Sequence, residues 1–447
     1  MFKLILSTVL SFAVSSILFG IELVSEKDIK NSKEKTSIFN LSNGIPVIYR
    51  NEPSSDIVHI SVSFDWALKD QNQGTKSLPG LTTALMTKGS YKYPQKKLYE
   101  IIEKYSLGIS CSSSIDTSTC NFETINDYFE KTIDVLSSSI TTPEFGEKDF
   151  KNTKEKMISS NKAEMEDPDS SVNEAVNKIY YEETHPYVLP PEKAIEELNK
   201  FKLNDIKSAH KSMLNAKRMS IAVVTSLDQK EIKKILEKEF SKIKSWNYSK
   251  STTAYPKSSK KRLSLVEREI PTSYIKIKVP TPNLTSKDAA ASLLLFEILS
   301  EEMATEIRTK RSLSYAAYAY TGQGQLGLGV FAVSTPKPKE TLIVLADIIS
   351  KIKTKEIPSD IFEEYKRTFS TGHFLRQETH ASIASILLRS LYYTGGTDFA
   401  YETPKSLGEV SPKEVKDLAN KILKDFKIGV LGNKKQIHAN LGKILEK

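Results

Sequence analysis

Cysteine is nearly absent from this chain of 447 residues, which has only Cys111 and Cys120. Two thiols with no histidine nearby exclude a cysteine-based zinc site. Histidine is scarce too: the six are His59, His185, His210, His373, His380 and His438. Only His373 and His380 are close enough to share an element, and seven helical positions set them about 10 Å apart, too far for one ion. With Glu378 beside them they read as an exposed polar helix face, and His185, in the run HPY, reads as a turn residue. No second long apolar run follows the first twenty residues, which excludes a polytopic membrane protein. The 64 basic and 55 acidic residues are scattered. Without a basic and aromatic cluster, the formal charge of +9 serves solubility and not nucleic-acid binding.

What is present is an ordinary globular composition, 39% apolar and 27% charged, long enough for two domains. Residues 1–20, MFKLILSTVLSFAVSSILFG, carry one early lysine, an apolar Ser-dotted run and a closing glycine. That is a secretory signal layout, implying cleavage and export, to a periplasm. A retained anchor is the alternative, and membrane attachment is expected only in that case.

Turn and strand signals organise the rest. FNLSNGIPVIYR (39–50) holds Asn43-Gly44 between two extended runs. Val58, Ile60, Val62, Phe64 and Trp66 alternate with His59, Ser61, Ser63 and Asp65, as in a sheet covered on one face. Helical patterns follow at 77–88, 95–105, 126–139 and 147–166. The run CSSSIDTSTC folds as a hairpin through Ile115-Asp116, setting Cys111 opposite Cys120. A disulfide and a pair of half-buried thiols are both compatible with that register. A Ser/Thr/Lys-rich passage, 246–262, reads as a linker. The same order then recurs: a strand at 273–279, a helix over 287–302, strands at YAAYAY and LGLGVFAV, then long helices. The expected class is α+β, with two related domains, 36–245 and 263–447, each a mainly antiparallel sheet with helices on one face.

One stretch resists a chemical reading. SLPGLTTALMTKGS (77–90) has a helical apolar stripe of Leu78, Leu81, Leu85 and Met86, with Gly89 placed to end it. Its inner turns hold no acid, imidazole or thiol.

With EMEDPDSSVNEA and HPY (185–187), and with IRTKRSLSYAAYAY, this stretch resembles the insulinase-like family of zinc peptidases, M16, of the two-domain bacterial and mitochondrial-processing type. The resemblance covers nearly the whole mature chain. It implies a clamshell half built from two homologous domains. It also implies an inverted motif, His-x-x-Glu-His, on the first helix, two imidazoles binding zinc, a general-base Glu and a remote Glu ligand. Laid on this chain, those places fall on Gly80, Thr83, Ala84 and Ser160. None can ligate or take a proton as needed. A one-residue slip brings Glu155 or Glu164 nearer, but a lone carboxylate does not hold zinc usefully.

At the third match the resemblance places a substrate-contacting pair, Arg308 and Tyr315. A forked guanidinium and a directed phenol suit carbonyl or carboxylate oxygens. By alternation Tyr315, Ala317 and Ala319 share one strand face, and Tyr318 and Tyr320 a crowded, packed one. Arg308, Lys310 and Arg311 also read as a solvated helix end. The resemblance therefore implies a zinc-free subunit without a cofactor of its own. It would be inactive alone and would pair with a catalytic insulinase-family subunit that holds the zinc, around a peptide or unfolded polypeptide. The alternative is a non-catalytic scaffold or peptide-binding protein of the same fold.

Overall fold

The computed structural model describes residues 26–257 and 259–446; the apolar segment 1–20 lies outside them. Eleven strands among them form two sheets. The first contains β1 (Thr36–Asn40), β2 (Pro46–Asn51), β3 (Ile57–Phe64), β4 (Gly108–Ser113), β5 (Ser118–Ile125) and β6 (Met219–Thr225). The second contains β7 (Leu263–Glu267), β8 (Ser273–Pro280), β9 (Ala317–Gln323), β10 (Gly327–Thr335) and β11 (Lys427–Gly432). Their orders are β1-β2-β6-β3-β5-β4 and β7-β11-β8-β10-β9.

Setting β1 aside, the two orders are one topology. In each, the last strand of the half inserts between the first two, parallel to one (β2 with β6, β7 with β11) and antiparallel to the other. All other pairs are antiparallel. Local signals account for much of this. Gly44, at φ +89°, makes the turn between β1 and β2. The apolar side chains of β3 enter a core with Phe122 of β5 and Leu81, Leu85 and Met86 of the helix Leu78–Met86. In the second half Ile275, Ile277 and Val279 do the same against Leu294, Leu295 and Leu299 of the helix Ala289–Met303.

Each sheet has more than one covered face, which corrects the one-face expectation. A half-covered β3 would leave His59, Ser61 and Ser63 in water, yet they are 4%, 2% and 7% exposed. The cover comes from the opposite half. The helix His380–Thr394 crosses the second face of the first sheet through Ile383, Ala384, Leu387 and Leu388, packed on Ile48, Ala222 and Val224. Reciprocally, the helix Pro168–Tyr180 crosses the second sheet, and Gly429 of β11 admits it: a Cβ there would sit 2.8 Å from the Val172 carbonyl oxygen. The linker is strapped down as well. Thr253 N–H donates to Gln325 Oε1 at 2.9 Å, Gln325 Nε2 to Ser251 O at 3.0 Å, and Tyr255 OH to Thr281 O at 3.1 Å.

Candidate functional site

The helix Leu78–Met86 packs into the core of the first half through Leu81, Leu85 and Met86. Pro79 occupies its first turn, where a missing N–H costs nothing. The N–H of Ser77 is satisfied by a carboxylate from another helix, Glu197 Oε2 at 2.7 Å, which also suits the positive helix end. The helix ends at Met86, earlier than Gly89. That glycine instead turns the following loop at φ +151°, with Gln95 N 3.0 Å from where a Cβ would be.

The places on this helix to which the resemblance assigns metal ligands carry no free donor for an ion. Gly80 and Ala84 have none. Thr83 is buried, and its hydroxyl donates to its own helix, to Pro79 O at 2.8 Å and Gly80 O at 3.1 Å. On the helix Glu147–Glu166, Ser160 is exposed, as are Glu155 and Glu164. Zinc does not fit this donor set. Among the described residues no group of three or more His, Cys, Asp or Glu side chains is placed to hold a metal ion.

His373 and His380 do not share an element, contrary to the sequence reading. His373 ends the helix Ser359–Leu375, while His380 begins the next one beyond a break at 376–379. Burial lowers the pKa of His373, and its Nε2 lies 3.2 Å from Ala400 O. His185 acts in a turn: Tyr187 N–H donates to its Nδ1 at 3.1 Å, and its Nε2 lies 3.1 Å from Ala254 O of the linker.

Arg308 and Tyr315 are brought together. The helix Ala289–Met303 runs on into a widened turn, Ala304–Thr309, anchored by buried Ile307. Glu306 draws in both Lys310, at 2.7 Å, and Arg311, leaving Arg308 to lie over the Tyr315 ring, 4.6 Å from its centroid. Tyr315 is 83% exposed and precedes β9, so it is not a strand residue. The strand faces are also the reverse of the sequence reading. Ala317 and Ala319 enter the core, while Tyr318 and Tyr320 are 42% and 45% exposed and stack on each other, 6.1 Å between centroids.

Cys111 and Cys120 are cross-strand partners on β4 and β5 and are joined by a disulfide, with Cα atoms 4.1 Å apart. The hairpin tip bears a group that sequence reasoning read only as a turn residue. Asp116 is buried and accepts from Tyr187 OH at 2.6 Å, Tyr393 OH at 2.7 Å and the Gln325 N–H at 3.1 Å. Beside it Asp65 accepts from Lys69 Nζ and Tyr392 OH, each at 3.0 Å, and from Tyr248 OH. Burial and these carboxylates push all four tyrosines above their ordinary pKa, so they stay neutral donors. The two acids fasten the hairpin, the linker and the helix His380–Thr394 at one junction.

Between that helix and the first sheet lies a cavity of about 680 Å³. On its floor His59 Nδ1 is 3.0 Å from Glu123 Oε2, His59 Nε2 is 3.0 Å from Ser61 Oγ, and Ser61 Oγ is 2.7 Å from Asn121 Oδ1. Burial lowers the His59 pKa, against the pull of Glu123. A carboxylate, imidazole and hydroxyl in series has the order of an acid–base relay. Ser61, however, is buried in a central strand paired on both sides, with no free N–H groups around it to hold an oxyanion. The row is a polar floor and not a nucleophile.

The fold is two sheets of one topology in paired halves, and comparison with known proteins gives the family. The family model "Insulinase (Peptidase family M16)" matches residues 47–187 and "Peptidase M16 inactive domain" matches 200–369. The chain belongs to the M16, insulinase-like family. It is 18% identical over 366 residues to the zinc protease PqqE of Helicobacter pylori, covering 77% of this chain and 81% of that one. A peptidase M16 inactive domain from Pseudomonas fluorescens superposes with a TM-score of 0.81 at 17% identity, over 89% of this chain and 98% of that one. The periplasmic protease PqqL of Escherichia coli superposes at 0.77 with 14% identity, over 90% of this chain and 46% of PqqL. At these identities the structures attest the fold. Among the described residues no helix is long and apolar enough to cross a membrane.

Proposed function

We propose that this chain is an exported, zinc-free M16 subunit that pairs with a zinc-bearing relative and lends Arg308 and Tyr315 to the peptide held between them. The observation that carries this reading is a contrast within the molecule. The motif helix keeps its seat while Gly80, Thr83 and Ala84 offer no ligand, and Arg308 and Tyr315 form a preassembled, solvent-facing pair. A guanidinium already stacked on a phenol loses little freedom on meeting a peptide carbonyl or carboxylate. The disulfide suits an oxidising compartment, and residues 1–20 suit export to it.

The partner is expected to be a chain bearing His-x-x-Glu-His, with the product of a neighbouring gene as the first to try. Mixing tests the reading. This protein alone hydrolyses no peptide, and adding it raises the partner's peptidase activity. Arg308→Ala with Tyr315→Phe removes that gain, while the complex still elutes as one species. Stimulation by the double variant equal to wild type would make the chain a scaffold.

A further inference from the structure

The cavity between the first sheet and the helix His380–Thr394 is lined by a cation with no hydrogen-bond or ion-pair partner among the described residues. Arg389, on that helix and half-buried, lines this cavity and a neighbouring one that also holds Glu297 and Arg376. Among the described residues no carboxylate lies within ion-pair distance of its guanidinium, and no acceptor within hydrogen-bond distance. Its charged surroundings are the like charge of Arg376 and the Tyr393 hydroxyl, the latter already given to Asp116. Burial disfavours its charge. An arginine cannot escape by losing its proton, so a half-buried, unpaired guanidinium favours an anion from elsewhere.

The far end of the cavity has the opposite character. Glu123 Oε2 is taken by His59, but the side chain is 49% exposed, which leaves its other oxygen open. Glu123 and Ala381 both line this cavity and the neighbouring one, marking the end nearest the start of the helix. From Ala381 to Arg389 is eight residues, about 12 Å along the axis. Three extended residues span about 10–11 Å. The wall between holds neutral hydrogen-bonding groups, among them Ser63, Thr119 and Asn121, opposite apolar Leu388. A cavity of about 680 Å³ is of ligand-binding size.

We propose that this cavity binds a short free peptide of about three residues, its C-terminal carboxylate on Arg389 and its N-terminal ammonium on Glu123. The site needs neither zinc nor a second subunit, so it stands whether or not the partner reading does.

Titration calorimetry of the full chain with trialanine, its C-terminal amide and its N-acetyl form tests this. Trialanine binds with one-to-one stoichiometry, and either blocked form binds about tenfold more weakly or worse, the loss of one charge-assisted pair. In Arg389→Gln trialanine weakens by a similar factor and no longer differs from its amide. Without peptide the variant melts at or above the wild-type temperature, because a lone half-buried cation is removed. No binding of trialanine at millimolar concentration, equal affinity for the amide, undiminished binding by Arg389→Gln, or a lowered melting temperature of that variant would each overturn the assignment.

Discussion

The two crossing helices perform the same structural task on sheets of the same topology, yet their polar contacts differ. Over the second sheet three cations beside the helix Pro168–Tyr180 find protein partners. Lys276 Nζ meets Asp169 at 2.6 Å, Lys278 donates to Asn177 Oδ1, and Arg268 donates to Met165 O and Glu166 O at 2.7 Å and to Ser171 Oγ at 2.8 Å. Over the first sheet, one edge of the helix is sealed by Leu387 and its neighbours, and the other stands off across a polar cavity facing Arg389. Duplication fixes a backbone plan, and each face is then free to diverge. One is a closed internal interface and the other encloses a cavity.

The largest way to break the comparison is to loosen the first sheet's seal. Leu387→Ala, at a 1% exposed site, should cost about 2–5 kcal/mol in urea unfolding. Next is the closed side's buried ammonium. Burial pulls Lys278 from 10.5 down to about 8, so the folded protein binds fewer protons there than the unfolded chain does between those values. Its contribution to stability is therefore lowest below pH 8 and rises toward 10.5, by on the order of 3 kcal/mol. Unfolding curves of wild type and Lys278→Met at pH 7.5 and 10.5 should show the difference moving in favour of wild type as pH rises. Gly429→Val should cost about 1–3 kcal/mol, because the added carbon meets the Val172 carbonyl and the Val176 side chain. Least of all, Arg308→Ala with Tyr315→Phe should change unfolding by less than about 0.5 kcal/mol, since both groups face solvent. A larger loss there would mean the pair is structural.

What the sequence revealed followed from local rules. The helix at 95–105 has those limits in the structure, the Asn43-Gly44 turn is where its residue types demand, and the Cys hairpin pairs in the expected register. That Gly80 and Ala84 offer no ligand was legible too, because a glycine or an alanine side chain cannot be a ligand in any fold. Contacts between distant segments were not legible. Asp116 looks like any turn residue until Tyr393, 277 positions away, is placed on it. The apolar spacing of Ile383, Ala384, Leu387 and Leu388 announces a buried helix face without naming the sheet it covers. The Tyr318–Tyr320 face was misread for a related reason: alternation tells which residues share a face, and tertiary packing decides which face is inward. Buried Lys278 and half-buried Arg389 left no sequence signal, since a lysine or arginine in an amphipathic run reads as solvated.

The central claim is that the motif helix keeps its place in the fold and has lost the means to bind the metal. Equilibrium dialysis of the purified chain against zinc, read by elemental mass spectrometry, tests it most directly. The account predicts no stoichiometric retention at micromolar zinc and the same result for Thr83→Ala. One tightly held ion per chain, released by that substitution, would contradict it.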